Sequence, residues 1–328
     1  MTDVIKPPRR ILAVLGEGKD TAALETAIAL ADHHGAKVDI FTCVQPPHDL
    51  NLLARLAGRR QDELMKDLCN RRREEIAEVV AQTGKGRSFD IHLRTGKPFI
   101  EVIRFVLASN VDFVTKTAEP LGGVRRFLFG STDQHLLRKC PCPVWLVAPD
   151  GNPLPRTVLA AVDLDEEDAA EPETLASLNR RVIRTALQIA APGSAEIFLL
   201  HSWDAIGEGL VWAFSTTGNA QSASERYTRE VREKRRRAMD VLLEEATAKG
   251  SVEGANRIMP RLVKGQPERV IAEQIRAIGA DALVMGTVAR TGLEGVIIGN
   301  TAENIINSIE CPVLAVKPDG FVSPISPD

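Results

Sequence analysis

Short apolar runs alternate with longer amphipathic segments along this chain, and the whole alternation occurs twice. In the first half, apolar and β-branched runs predict strands at residues 11–15, 37–44, 89–94, 112–116 and 144–147. Apolar residues at helical spacing predict helices at about residues 21–33, 59–81, 98–108 and 132–139. Such alternation predicts right-handed crossovers between parallel strands, in a sheet covered by helices on both faces.

The second half repeats this order of elements. Strands are predicted at residues 158–162, 196–201, 258–263, 282–285 and 313–316. Helices are predicted at about residues 175–190, 229–249, 267–278 and 301–309. Residues 150–155 contain two prolines and a glycine, which extend neither kind of element, so they form the predicted linker. The pattern therefore predicts α/β domains at residues 1–149 and 156–320, each with a five-stranded parallel, doubly wound sheet.

Individual residues also recur at one constant spacing. Gly96-Lys97-Pro98 returns as Gly265-Gln266-Pro267, and Cys142-Pro143-Val144 returns as Cys311-Pro312-Val313, in both cases 169 residues later. A register that is kept across loops and helices indicates tandem duplication of a whole domain, because the period is far too long for a solenoid repeat.

Composition narrows the class of protein without indicating a chemistry. Of 328 residues, 44% are apolar and 26% are charged, as in soluble globular proteins. The net charge of −3 gives no overall attraction to nucleic acid or to an anionic membrane. Five cysteines without a disulfide framework indicate a reducing compartment, and the apolar run near the N-terminus is too short for a signal peptide or a membrane span. We therefore expect a cytoplasmic protein with no membrane partner.

Several clusters invite a functional interpretation and have a simpler one. The triplets Arg71–Arg73 and Arg235–Arg237 lie on predicted helices that also carry many acids, so we expect solvated faces rather than direct nucleic-acid binding. His135, Cys140 and Cys142 lack the usual spacing of metal ligands, and packed small side chains are the better interpretation. No order of residues in the chain predicts a catalytic triad or a carboxylate pair.

The segment from Val284 to Glu303 is the strongest candidate for ligand chemistry. It follows a predicted strand and ends in a predicted helix, with Gly286, Gly292 and Gly299 between them. Glycines let backbone N–H groups approach an anion closely, and the helix N-terminus adds a partial positive charge. Glycines at such junctions also serve as simple turns, so this pattern alone leaves phosphate binding and a structural role equally open.

The order of these motifs resembles the universal stress protein family. Strand, Met285-Gly286, glycine-rich loop, Gly299-Asn300, helix and Cys311-Pro312-Val313 match its pattern, and the resemblance covers nearly the whole chain, once per half. It implies a Rossmann-like fold of the adenine-nucleotide alpha-hydrolase type and a non-catalytic, ligand-binding or regulatory role in the stress response. The nucleotide-binding branch of the family has a Gly-x-x-Gly loop, a later Gly-(Ser/Thr), and an Asp at the end of the first strand.

The second half keeps part of this nucleotide motif. Gly286 and Gly299 match two glycines, whereas Ala289 replaces the middle one and Asn300 replaces Ser/Thr. The resemblance implies ATP or another adenine nucleotide, with or without Mg, in the second domain only. Its site residues would be Asp163, His201, Met285, Gly286, Thr287, Arg290, Gly299, Asn300 and Thr301. For His201, which ends a predicted strand beside the cleft, contact with the base and a purely structural role both stay open.

The first half departs further from the motif. Thr117 is aligned with Gly286, Pro120 with Ala289, and Gly16 with Asp163, so nucleotide binding is not expected there. Two alternatives remain. One is slow ATP hydrolysis in the second half, with Asp163 reaching a metal; the other is a more apolar ligand in the first half.

The resemblance also implies how the halves meet. The last strand of family members pairs across a dimer, so residues 144–147 and 313–316 are expected to pair within this chain as a pseudo-dimer. Association of two chains and other protein partners stay open. The apolar stretch from Leu210 to Phe214 interrupts a Gly/Ser/Thr-rich connection, which indicates either a flap over a ligand or partner domain, or a loop folded onto its own domain.

Overall fold

The computed structural model describes residues 7–18, 20–119, 129–165, 169–214, 220–247, 258–287 and 299–327. Within these ranges the strands are β1 (Arg10–Val14), β2 (Lys37–Val44), β3 (Asp90–Thr95), β4 (Phe113–Thr117), β5 (Val144–Val147), β6 (Thr157–Ala161), β7 (Glu196–Trp203), β8 (Ile258–Lys264), β9 (Ala282–Gly286) and β10 (Val313–Val316). The helices are α1 (Ala22–His34), α2 (Leu50–Leu56), α3 (Gln61–Thr83), α4 (Pro98–Ser109), α5 (Ser131–Lys139), α6 (Pro172–Ile189), α7 (Glu208–Phe214), α8 (Ala220–Thr247), α9 (Pro267–Ile278) and α10 (Asn300–Ser308).

The described strands form one continuous sheet, in the order β3-β2-β1-β4-β5-β10-β9-β6-β7-β8. Neighbouring strands are parallel within each half, and only the central pair β5–β10 is antiparallel. Trp145 pairs with Leu314, which lies 169 residues later and is therefore its own counterpart in the repeat. A pseudo-twofold axis consequently passes between these residues, which confirms the predicted pseudo-dimer of two five-stranded α/β halves.

Helices cover both faces of the sheet, because the strands are apolar on both sides. Successive residues of β1 alternate between two core clusters: Ile11 and Ala13 face one, and Leu12 and Val14 face the other. The first cluster includes side chains from α1, α3, α6 and α8, and the second includes side chains from α4, α5, α9 and α10. Each cluster joins residues of both halves, so the domains share their cores across the central strand pair.

Polar contacts add to this shared core. Arg138 of α5 forms an ion pair with Glu303 of α10. On the other face, His34 Nε2 lies 2.8 Å from the backbone carbonyl of Gln188 at the end of α6, and burial lowers the pKa of this histidine. Lys317 Nζ donates to the carbonyl of Leu137 at 2.6 Å. The two halves are thus held together by sheet pairing, apolar packing and specific polar contacts.

The apolar stretch of the second half forms a short helix against its own half. Gly207 N–H donates to the Tyr227 hydroxyl at 3.2 Å, and the Ser224 hydroxyl donates to Glu208 at 3.0 Å, so α7 is fastened to α8. Leu210 and Trp212 are 62% and 53% exposed, which leaves them in solvent and not over a buried surface. Among the described residues, the contacts therefore favour the alternative of a segment folded onto its own domain.

Membrane insertion finds no suitable element. In the part of the chain that the structure describes, every helix is too short or too polar to cross a bilayer.

Candidate functional site at the carboxyl ends of the second-half strands

The second half brings together residues from three strand ends and one helix N-terminus. Asp163 follows β6, His201 lies near the end of β7, Gly286 ends β9, and Gly299 precedes α10. The carboxyl ends of parallel strands are where open α/β sheets bind ligands, because the loops there diverge and leave a crevice.

Asp163 occupies a fixed turn after β6. Its Oδ1 accepts the N–H of Asp165 at 3.1 Å, a local bond typical of Asx turns. Its own N–H donates to the side-chain oxygen of Asn179, and its carbonyl accepts from the Asn179 amide at 2.6 Å. Asn179 is buried on α6, so that helix clamps the turn through its side chain. The sequence did not indicate this role, because nothing distinguishes Asn179 from other polar residues of an amphipathic helix.

His201 and Arg235 meet near this turn. The Nδ1 of His201 lies 3.2 Å from the Val162 carbonyl, and burial lowers the pKa of the imidazole, which favours the neutral ring. Arg235 reaches in from α8 to form an ion pair with Asp165 and donates to the Leu164 carbonyl at 3.3 Å. Asp165 and Arg235 are residues of the site that the sequence interpretation missed.

The prediction of solvated arginine triplets is wrong for one member of each. Arg71, Arg73, Arg236 and Arg237 are exposed, as expected. Arg72 is only 6% exposed, however, and the side chain of Arg235 only 14%, because both point towards the carboxyl ends of the strands. A one-in-three choice of direction on a helix is invisible in a run of identical residues.

The residues at the end of β9 serve the protein interior. Met285 is buried in the second core cluster. A Cβ atom at Gly286 would lie 2.6 Å from Cδ2 of Leu178, so glycine here lets α6 approach the sheet closely. The Thr287 hydroxyl donates to the Leu137 carbonyl at 3.3 Å, and its N–H donates to the Val316 carbonyl at 3.3 Å. Thr287 therefore commits both of its donors to protein contacts at the domain boundary.

The N-terminus of α10 faces outward. Gly299 has an extended conformation (φ −58°, ψ 138°), and Asn300 and Thr301 begin the helix with exposed side chains. The first backbone N–H groups of a helix have no intrahelical partner and carry partial positive charge, so this end suits an anion. Arg290, Ala289 and Gly292 lie outside the described residues.

The equivalent helix end in the first half is covered by a carboxylate of the chain itself. Glu119 lies so close to Gly130, which precedes α5, that a Cβ atom on Gly130 would overlap its Oε2. Lys116, which is buried, contacts Glu119 at 2.8 Å and Asp133 at 2.7 Å. Burial disfavours the charged amine, but the two carboxylates outweigh it and raise the pKa of Lys116. The first half thus supplies its own anion and cation where the second half has Met285 and an exposed helix end.

The cysteines near the domain boundary are packed side chains. Cys140, Cys142 and Cys311 are all buried, with 3.7 Å between Sγ of Cys140 and Sγ of Cys142. Burial raises the pKa of Cys311 to about 12, so its thiol stays protonated and unreactive. His135 stacks on Phe99 at 4.1 Å between ring centres. Within the described residues, no three histidine, cysteine, aspartate or glutamate side chains are grouped to hold a metal ion.

Comparison with known proteins identifies the family. The sequence model of the universal stress protein family matches residues 8–148 and again residues 156–317. The chain belongs to the universal stress protein family. Universal stress protein E of Escherichia coli K12 is 27% identical over 315 residues, which cover 94% of this chain and 93% of that protein. Universal stress protein E of Salmonella typhi is 30% identical over 233 residues, covering 71% of this chain and 69% of the relative.

A solved structure shares the whole two-domain fold. A universal stress protein from Pseudomonas aeruginosa UCBPP-PA14 superposes with a TM-score of 0.64 over 97% of this chain and 96% of that chain, at 22% identity. The likeness supports the tandem Rossmann-like architecture. Together with the two family matches, it makes the chain a stress-response protein of two universal stress protein domains.

Proposed function

We propose that this universal stress protein is a non-catalytic regulatory protein that binds ATP or another adenine nucleotide in its second half. The supporting observation is the contrast between the halves. In the second half the N-terminus of α10 is exposed at the end of the strands, whereas Glu119 covers the matching end of α5. An anionic ligand therefore meets an open helix end in one half and a carboxylate in the other.

The second-half residues would divide the work of holding a nucleotide. Backbone N–H groups at Gly299, Asn300 and Thr301 would bind phosphate oxygens, aided by the side chains of Asn300 and Thr301. The turn at Asp163 would lie at the other end, towards the sugar and base. A Mg ion, where present, would be held mainly by the phosphates of the nucleotide, as is common for this cation.

We further place the protein in the cytoplasm. All five cysteines are free thiols, three of them buried, which suits a reducing compartment. Partners beyond the internal domain pair are not part of this proposal.

Calorimetric titration of ATP into the intact protein tests the proposal, with one binding site expected. Asn300→Asp places a negative charge at the start of α10, where it favours the helix but repels phosphate. We expect it to weaken ATP binding by about tenfold or more, corresponding to about 1.4 kcal/mol or more. Ser131→Asp is the matched control, because Ser131 occupies the same exposed first position of α5 and lies 169 residues earlier.

Circular dichroism establishes that both variants are folded before they are compared. The proposal fails if the wild-type protein binds no adenine nucleotide, or if S131D loses binding while N300D retains it. Two equivalent sites per chain would contradict the assignment to the second half.

A further inference from the structure

The two long helices each send one arginine to the ends of the strands, and these arginines occupy equivalent places. In the first half, the Thr42 hydroxyl donates to the Leu15 carbonyl just after β1 at 3.1 Å. In the second half, His201 Nδ1 makes the corresponding contact with the Val162 carbonyl just after β6. Arg72 lies beside Thr42, and Arg235 lies in the same place relative to His201.

Arg72 has all of its hydrogen bonds satisfied by the protein. Its Nε donates to the Thr42 hydroxyl at 2.8 Å, and its two terminal nitrogens each contact two oxygens. These acceptors are the carbonyls of Leu15, Gly16 and Gly18 and the carboxylate of Glu75. A guanidinium has five N–H donors, so the first half leaves none for a ligand. The crevice at the end of β1 is filled by this side chain.

Arg235 and His201 are less completely bonded. Among the residues that the structure describes, neither Nε of Arg235 nor Nε2 of His201 has a hydrogen-bond partner, although both atoms are shielded from solvent. His201 as a whole is only 1% exposed. Buried polar atoms are nearly always paired in native proteins, and leaving one unpaired costs roughly 1–3 kcal/mol. Two such atoms at the end of β7 therefore point to a ligand that would pair with them.

The two atoms have complementary hydrogen-bonding roles. When Nδ1–H of the neutral imidazole donates to the Val162 carbonyl, Nε2 carries a lone pair and accepts a hydrogen bond. The Nε–H of Arg235 can only donate. An acceptor beside a donor matches a planar edge that offers one donor and one acceptor, such as the N6–H and N1 of adenine. A phosphate offers acceptors only and would leave His201 unpaired.

We propose that Arg235 and His201 recognise the polar edge of the adenine base, and that Arg72 keeps the matching place in the first half closed. This inference rests on the proposed function, since it assigns the base end of the same second-half site. Arg235 would orient the base by donating to it, while its ion pair with Asp165 holds the guanidinium in place.

A pair of probes separates the base end of the site from the phosphate end. Titration of ATP reports on both ends, and titration of inorganic tripolyphosphate reports on the phosphate end alone. Arg235→Lys keeps the positive charge but lacks the Nε–H, and His201→Thr introduces the residue found at Thr42 in the first half. We expect each change to weaken ATP binding about fivefold, corresponding to about 1 kcal/mol per lost hydrogen bond, and to leave tripolyphosphate binding unchanged.

Arg72→Lys in the first half is the matched control and is expected to leave both affinities unchanged. If the wild-type protein binds neither probe, the proposed function itself fails. If the wild-type protein binds ATP but R235K and H201T bind it equally well, only the present inference is overturned. An equal loss of ATP and tripolyphosphate binding in R235K and H201T would also overturn it, because the residues would then act on the site as a whole.

Discussion

Lys317 is a charged residue buried at the boundary between the halves. Its Nζ donates to the Thr287 hydroxyl and to the Leu137 carbonyl. That carbonyl belongs to the last turn of α5, where backbone acceptors lack partners within the helix, so Lys317 caps a helix of the opposite half. Burial lowers the pKa of the amine from 10.5 to about 7, and the nearby Cys140 opposes the shift only in part.

The lowered pKa makes a prediction for the pH dependence of stability. Between pH 7 and pH 10.5 the unfolded chain holds a proton on Lys317 that the folded protein has released, so the free energy of unfolding rises with pH in this window. Below about pH 7 the charged amine is buried and its full unfavourable contribution remains. We expect the stability of wild type relative to Lys317→Met to rise by at most about 1.4 kcal/mol per pH unit across the window.

Urea denaturation of the two proteins at several pH values measures this difference. A free-energy gap between wild type and K317M that stays constant from pH 6 to pH 10 would contradict the shifted pKa. A separate effect that is the same at every pH would report only the lost hydrogen bonds.

Single residues also show what the sequence can and cannot reveal about the site. Asp163, Gly299 and Asn300 could be placed from the repeat and the family resemblance, because strand ends and helix starts fix where such residues lie. Arg72 and Arg235 could not be assigned, since a buried guanidinium depends on oxygens contributed by distant loops and strands. No local pattern records how many acceptors a fold will bring to one side chain.

At the scale of elements, the contact between α6 and β9 depends on a missing side chain. A methyl group at Gly286 would press against Cδ2 and Cγ of buried Leu178. The first half solves the same contact differently, since Thr117 in the aligned position accepts the N–H of Ala23 at the start of α1. Close approach of helix to sheet therefore uses glycine in one half and a hydrogen bond in the other.

We predict that Gly286→Ala destabilises the protein by about 1–3 kcal/mol through overpacking. The same substitution made in a Leu178→Ala background should cost clearly less, because the space is then free. Chemical denaturation of the wild type, the two single variants and the double variant provides the coupling free energy. Equal costs in both backgrounds would show that Leu178 is not the obstacle.

Most elements were predictable because their boundaries carry strong signals. The predicted bounds of β2, β5, α9 and β10 agree with the structure, as these segments are flanked by glycine, proline or abrupt changes of polarity. The short helix α2 was missed, since its leucines show no clear amphipathic period. The helix α8 begins at Ala220, earlier than predicted, because contacts of Ser224 and Tyr227 with α7 stabilise a stretch of weak helix formers.

At the scale of the whole molecule, both core clusters run through both halves. The halves also share a continuous sheet across β5 and β10. We therefore predict that the protein unfolds in one cooperative transition and not domain by domain. Differential scanning calorimetry should give a calorimetric enthalpy equal to the van't Hoff enthalpy, and two resolved transitions would refute the prediction.

The central β5–β10 pair has a consequence for how this chain can vary. In an assembly of two identical chains, any substitution near the axis appears twice, and a buried lysine would bring a second one with it. In the fused chain the counterparts of Lys317 and Thr287, 169 residues earlier, are Ala148 and Ala118. Only one amine is therefore buried beside the axis. Joining the two copies covalently freed each side to change alone, and a lopsided contact became affordable where a symmetric one would have doubled the electrostatic penalty.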